Sequence, residues 1–294
     1  MFSRFIVATD LSSASFALVN CLEGLKAYGA DDCLLLLCLS MQESTSIALS
    51  YTDSTDKLEA ILQEQKTLLE KQGFRVEART VSGHAKKEVN RIANEEDYSL
   101  IVLGSQGHSL LGDALLGGVA YGVMQRARKP VLLIPIENKQ GIGKVCEPVA
   151  GCNFNEHVLF PTDFSENADH AFTFVEQLVS AGTSHVTLLH VQDKTRIEPY
   201  LEHRIDEFNK INGERLEVMK KLLLKKGTAE VDIVIKYGYP FIEINRLIQE
   251  DCVRLVVMGS QGRGFVQEIF LGSVSHNVAR HSTAPVLLIP SRER

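Results

Sequence analysis

Nowhere in these 294 residues does an apolar run approach the roughly 20 that span a bilayer, which excludes a helical membrane protein. The opening MFSRFIVATD carries one arginine and enters a strand at once, without the apolar core or cleavage pattern of an export signal. A cytoplasmic protein is therefore expected. Cysteine is scarce: the six at 21, 33, 38, 146, 152 and 252 are too few for a disulfide scaffold. Cys33 and Cys38 fall in or beside an apolar strand and Cys21 on a helix, where cysteine acts as a small hydrophobe. Cys146 and Cys152 have five residues between them in a linker, with nothing nearby to complete a zinc set, and read as unpaired thiols rather than a redox switch. An excess of positive charge is also missing: the net charge of −6 gives no general attraction to nucleic acid or to an anionic membrane. So is the pattern G-x-x-x-x-G-K-S/T, which leaves no lysine placed against a β or γ phosphate.

What is present is globular. Hydrophobic residues make up 45% and charged residues 23%, and the length suffices for two ordinary domains. The chain repeats itself. VATDLSSAS at 7 to 15 aligns with FPTDFSENA at 160 to 168, an offset of 153, and LIVLGSQGHSLLGDALLGG at 100 to 118 aligns with LVVMGSQGRGFVQEIFLGS at 255 to 273, an offset of 155. KPVLLIP and APVLLIP close the two copies. Domains over 1–137 and 156–294 follow, with a linker over 138–155 whose Gly141, Gly143, Pro148 and Gly151 break any period.

In the first copy, strands are expected at Phe5 to Ala8, Cys33 to Leu39, Arg75 to Val81, Leu100 to Leu103 and Val131 to Ile134. Between them Ser12 and Ser13 can cap a helix running up to Gly29, Met41 to Thr55 reads as a loop near the site, and a helix carrying Leu58, Ile61, Leu62, Leu68 and Leu69 ends at Gly73. The second copy predicts strands at Val158 to Pro161, Val186 to Val191, Val231 to Lys236, Leu255 to Met258 and Val286 to Ile289. Its helices are expected over Glu166 to Ser180, Tyr200 to Lys225 and Pro240 to Glu250, the charges of the long one forming a solvated face. Strands alternating with helices imply a parallel sheet with right-handed crossovers and helices on both faces.

The stretch GSQGRGFVQEIFLGSVSHNVARHSTAPVLLIP, Gly259 to Pro290, concentrates the chemistry. Glycines at 259, 262 and 272 let backbone approach an anion, while Ser273 and Ser275 stand where a helix begins and free N–H groups face outward. A lone G-x-x-G is more simply a tight turn, and Ser273 an ordinary cap. Its place after an apolar strand in an α/β repeat, where such sheets bind ligands, favours a phosphate site.

On these residues the chain resembles the universal stress proteins, twice over. Members that bind ATP carry G, two residues, G, nine residues, then G-S/T, matched by Gly259, Gly262, Gly272 and Ser273, with an Asp just past the first strand matched by Asp163. The resemblance implies two tandem Rossmann-like domains of the adenine nucleotide alpha hydrolase-like kind, each a five-stranded parallel sheet in order 3-2-1-4-5 with helices on both faces. It implies ATP, or AMP or ADP, bound in the second domain by Pro161, Thr162, Asp163, Val191, Met258, Gly259, Gly262, Arg263, Gly272, Ser273, Val274 and Ser275, with Mg as a companion ion. The matching set in the first domain is Thr9, Asp10, Leu39, Gly104, Gly107 and Gly117. There Gly118 and Ala120 replace Ser273 and Ser275. Losing a hydrogen bond to a charged group costs about 1.5 to 3 kcal/mol, so the first site is expected to be weaker by a hundredfold or more.

The resemblance also implies pairing through the fifth strands, Val131 to Ile134 and Val286 to Ile289, as an intramolecular pseudo-dimer or a homodimer; charged residues at Leu133 and Leu288 are the test. Arg263 reads as a solvated arginine, His276 as a surface or capping histidine, and SGHAKKE around His84 does not match the HxGH of related adenylyl transferases. Three readings stay open: an ATP-binding regulatory protein, which is favoured; a slow ATPase or nucleotidyl transferase; and a nucleotide-free dimerisation module.

Overall fold

The structure, a computed structural model, describes residues 1–40, 53–105, 116–139, 143–146, 153–227, 229–262 and 271–291. The chain divides into two units, Met1–Cys152 and Asn153–Arg294. In the first, β1 (Arg4–Thr9), β2 (Asp32–Leu39), β3 (Arg75–Ser82), β4 (Leu100–Gly104) and β5 (Val131–Ile134) form parallel neighbours in the order β3-β2-β1-β4-β5. A hairpin of β6 (Ile136–Lys139) and β7 (Gly143–Cys146) follows. In the second unit, β8 (His157–Pro161), β9 (His185–Asp193), β10 (Glu230–Gly238), β11 (Leu255–Gly259) and β12 (Val286–Ile289) run in the order β10-β9-β8-β11-β12.

These orders follow from burial. Val7, Leu34 to Leu37, Ile101 and Val102 are buried on both sheet faces, and their runs are continuously apolar because helices cover each side. β3 lies at the edge and shows partial exposure along its length, which its mixed sequence RVEARTVS accommodates. In each unit the chain leaves its first strand toward one edge and returns to the other side, so a crevice opens at the carboxyl ends of β1 and β4, and of β8 and β11. No helix among the described residues is long and apolar enough to cross a membrane.

Three local expectations need correction. The first helix stops at Val19 and resumes as a 3-10 segment, Glu23–Tyr28, because the side chain of Gln72 occupies the break: its Nε2 donates to Val19 O at 2.7 Å and its Oε1 accepts from Leu22 N–H at 3.1 Å. The loop expected over Met41 to Thr55 lies outside the described residues as far as Thr52, and Asp53 to Thr55 already belong to the helix Asp53–Lys71. Within the segment read as an unstructured linker, Gly143–Cys146 pairs antiparallel with Ile136–Lys139. Cys152 lies outside the described residues.

Candidate functional site

The crevice of the second unit is built from three strand ends. At the end of β8 the chain turns through Thr162, Asp163, Phe164 and Ser165. Phe164 is held at φ +58°, a left-handed conformation that costs a non-glycine residue about 1–2 kcal/mol. Side chains hold the turn: Thr162 Oγ1 accepts from Phe164 N–H at 3.0 Å, Asp163 Oδ1 from Ser165 N–H at 3.0 Å, and Ser165 Oγ caps the helix Glu166–Ser180 by accepting from Ala168 N–H at 3.2 Å. The first unit repeats every bond, with Thr9 to Leu11 at 3.0 Å, Asp10 to Ser12 at 3.0 Å and Leu11 at φ +59°. A strained turn kept in both copies fixes the direction of one carboxylate.

At the end of β11, Ser260 N–H donates to Ile289 O at 2.8 Å and Gly272 N–H to Ser260 O at 2.7 Å, which pins the loop's two ends together. A Cβ on Gly262 would lie 2.7 Å from Asp163 Oδ2, and one on Gly259 would lie 2.9 Å from Asn167 Nδ2. These glycines make room for protein side chains, a requirement the spacing did not reveal. Asn167 Nδ2 donates to Gln261 O at 3.3 Å, while its Oδ1 is buried with no partner among the described residues. The helix Ser273–His281 begins beside this loop with Gly272 at its cap position and no capping side chain, so the N–H groups of Ser273, Val274 and Ser275 have no intrahelical acceptor.

The two serines part company here. Ser273 is exposed at the helix start, whereas Ser275 is buried and its hydroxyl donates to Gly259 O at 2.8 Å. The expectation that both hydroxyls face distal phosphates is corrected: the proton of Ser275 already ties the helix to the end of β11, and of the two serines Ser273 presents its hydroxyl as a donor.

The third wall comes from β9. Val191, Gln192 and Asp193 end that strand, and Asp193 Oδ1 then caps a one-turn helix by accepting from Thr195 N–H at 3.0 Å. Arg196 lies 3.6 Å from Asp193. Over them runs the helix Ile205–Leu224, whose Phe208, Asn212 and Arg215 line the crevice, and the Arg215 guanidinium lies 3.9 Å from the centroid of the Phe164 ring. Reading that helix's charges as wholly solvated missed these residues. Their spacing of four and then three was the available signal, since it places all three on one face.

The result is a cleft of about 500 Å³ lined by Pro161, Thr162, Asp163, Val191, Met258, Gly259, Gly262, Gly272, Ser273, Val274 and Ser275 together. Arg263 lies outside the described residues. His276 is held below its ordinary imidazole value by burial, with Arg280 and His281 adding to the effect.

The first unit has its own cleft of about 570 Å³, lined by Thr9, Asp10, Gly104 and Gly117 among others. Gly107 lies outside the described residues. Leu39 is not on this lining; Cys38 is, because alternate residues of a strand face opposite ways and Leu36 and Cys38 share the cleft side. Burial, with the charge of Glu88, pushes the Cys38 thiol up to about 11, so it stays protonated and serves as a small wall residue. At Asp10, Ser15 Oγ donates to Oδ1, where the second unit has Ala168 in place of that serine.

The model of the universal stress protein family matches residues 1–135 and 155–290. A universal stress protein of Methanocaldococcus jannaschii is 34% identical over 151 residues, which are 45% of this chain and 93% of that protein. Universal stress protein YxiE of Bacillus subtilis is 32% identical over 148 residues, 46% of this chain and 99% of its own. Each relative is thus about one unit long. The crystal structure of a universal stress protein from Archaeoglobus fulgidus superposes with a TM-score of 0.76 at 25% identity, covering 99% of both chains.

Proposed function

The chain belongs to the universal stress protein family, and from that premise we propose that it is a regulatory protein that binds an adenine nucleotide, ATP above all, through the cleft of its second unit. One observation carries the reading. Within a single crevice, Asp163 lies against Gly262, and beside it a helix start offers three N–H groups without an intrahelical acceptor and the hydroxyl of Ser273.

The chemistry follows strand by strand. The apolar ends of β8, β9 and β11, at Pro161, Val191 and Met258, suit a flat base. Asp163 accepts from ribose hydroxyls, and the N–H groups at the start of Ser273–His281 receive phosphate oxygens in the positive end of the helix dipole. Magnesium would come with the phosphates and water, since among the described residues no group of three or more histidine, cysteine or acidic side chains is arranged for a metal. Among the described residues no lysine lines the crevice as a phosphate clamp, so binding is favoured over turnover. A slow ATPase remains the second reading, because Asp163 is an acid at the same site.

Mass spectrometry of small molecules released from freshly purified protein, followed by titration calorimetry with ATP, tests the proposal. The expected result is an adenine nucleotide and one tight ATP site per chain. No nucleotide and no heat of binding, or two equal ATP sites, would overturn it.

A further inference from the structure

The cleft of the first unit departs from its counterpart in a way that the lost hydroxyls do not describe. Lys86, at the start of the helix Ala85–Glu95, stands where the second unit has Phe241; His84 replaces Tyr239, and Gly122 replaces Asn277. Two of these changes interlock. A Cβ on Gly122 would lie 2.9 Å from Lys86 Cδ and 3.0 Å from Lys86 Cβ, so the glycine leaves the space in which the lysine stem lies. Glycine weakens a helix interior, and here its absent side chain lets the Lys86 stem pack against the neighbouring helix Gly118–Met124.

Lys86 and His84 both line the cleft, and among the described residues the Lys86 ammonium has no hydrogen bond or ion pair. The nearest acidic candidate on its own helix, Glu88, is engaged by Arg91 through bonds of 3.0 and 2.8 Å. The walls are apolar at Ala8, Leu36 and Leu103, and Asp10 stands at the end of β1.

We infer that the first unit's cleft is a separate anion site that takes a phosphate monoester of a sugar or nucleoside, with Lys86 as the anchor of the phosphate. In the second unit the grip is made by N–H groups and the Ser273 hydroxyl. In the first, an ammonium from the adjacent helix takes over that task. A lysine is a compact, strongly hydrated point charge, which matches one compact phosphate dianion better than an extended polyphosphate. Asp10, which already accepts from Ser12 N–H and the Ser15 hydroxyl, has the lone pairs to accept from a sugar hydroxyl as well.

The inference rests on the proposed function only in taking Ser273 as the counterpart grip. The test uses the full chain, with AMP as the probe in calorimetry and the His84 imidazole resonance as the local reporter. Two AMP sites are expected. Lys86→Met should weaken one of them about tenfold or more and leave the other, while Lys86→Arg keeps both; adenosine, lacking phosphate, should be indifferent to Lys86→Met. Because Lys86 is exposed, neither variant threatens folding. Ribose 5-phosphate separates the sources: Lys86-dependent binding of it means a sugar phosphate suffices, and its failure beside AMP means the base is read too. AMP affinities unchanged in Lys86→Met, equal weakening of adenosine, or an unmoved His84 resonance would each overturn the site. Lys86-dependent AMP binding without any ATP binding would overturn the proposed function and leave this site standing.

Discussion

Ser273 and Ser275 lie two residues apart, and the structure gives them opposite work. Ser273→Ala should weaken ATP about tenfold to a hundredfold, the worth of one hydrogen bond to a charged group, and leave AMP nearly unchanged; calorimetry on both ligands decides, and equal losses would show that the hydroxyl does not read the distal phosphates. Ser275→Ala should instead lower stability by about 1 kcal/mol, because Gly259 O loses its partner, and a denaturant midpoint reports it. Sequence alone paired these serines by type, since spacing does not say which way a hydroxyl turns. It likewise named Leu39 where Cys38 lines the first cleft, an error of one residue in a strand of period two.

A second prediction at this scale concerns His157, away from the cleft at the start of β8. Its Nδ1 donates to Asp251 O at 3.0 Å, its Nε2 accepts from the Thr187 hydroxyl at 2.8 Å, and its ring stacks on His185 with centroids 4.0 Å apart. His185 in turn contacts Asp232 at 2.9 Å. Burial first, and the neighbouring His185 second, hold His157 below its ordinary value of 6.5. The folded state therefore resists a proton that the unfolded chain accepts, and the stability present above pH 6.5 is lost as pH falls toward the depressed value. Urea midpoints should drop between pH 7.5 and 5.5, and drop less in His157→Gln. Parallel pH profiles for the two proteins would remove His157 as the cause.

Among the elements, the five sheet strands of each unit were legible, the central ones because double-sided burial leaves an uninterrupted apolar run and the edge strand β3 through its mixed, alternating pattern, and Val131–Ile134 and Val286–Ile289 fall where the sequence puts them. The break at Asn20 was not legible, since it depends on Gln72, some fifty residues away in the chain. Gln72→Leu should leave Val19 O and Leu22 N–H without their side-chain partner at a cost of about 1–3 kcal/mol, read as a lower thermal midpoint with the second cleft's ATP affinity intact. The crevice-facing side of Ile205–Leu224 was half legible. Phe208, Asn212 and Arg215 share a face by spacing, but only the fold shows that this face lines the crevice at the strand ends.

For the whole molecule, the second cleft bears on turnover in that, among the described residues, its lining holds no clamping lysine. ATP hydrolysis should stay well below roughly 1 per second, the low end of ordinary enzyme rates, and Asp163→Asn should reduce binding rather than abolish a catalytic step. Turnover at or above that rate, lost in Asp163→Asn while ATP still binds, would make the protein an enzyme.

Gly122 sets a trap for anyone who would improve this protein by heat. An alanine at that position gains about 0.8–1.0 kcal/mol of helix propensity; its Cβ would stand 2.9 Å from Lys86 Cδ and 3.0 Å from Lys86 Cβ, the first relieved by a turn of the lysine stem and the second by a small shift between the two helices. A library screened only for residual solubility after heating should therefore enrich Gly122→Ala. The survivors would carry a displaced Lys86 and a blunted response to AMP, and a selection that never asked for ligand would have traded a recognition site for a few degrees.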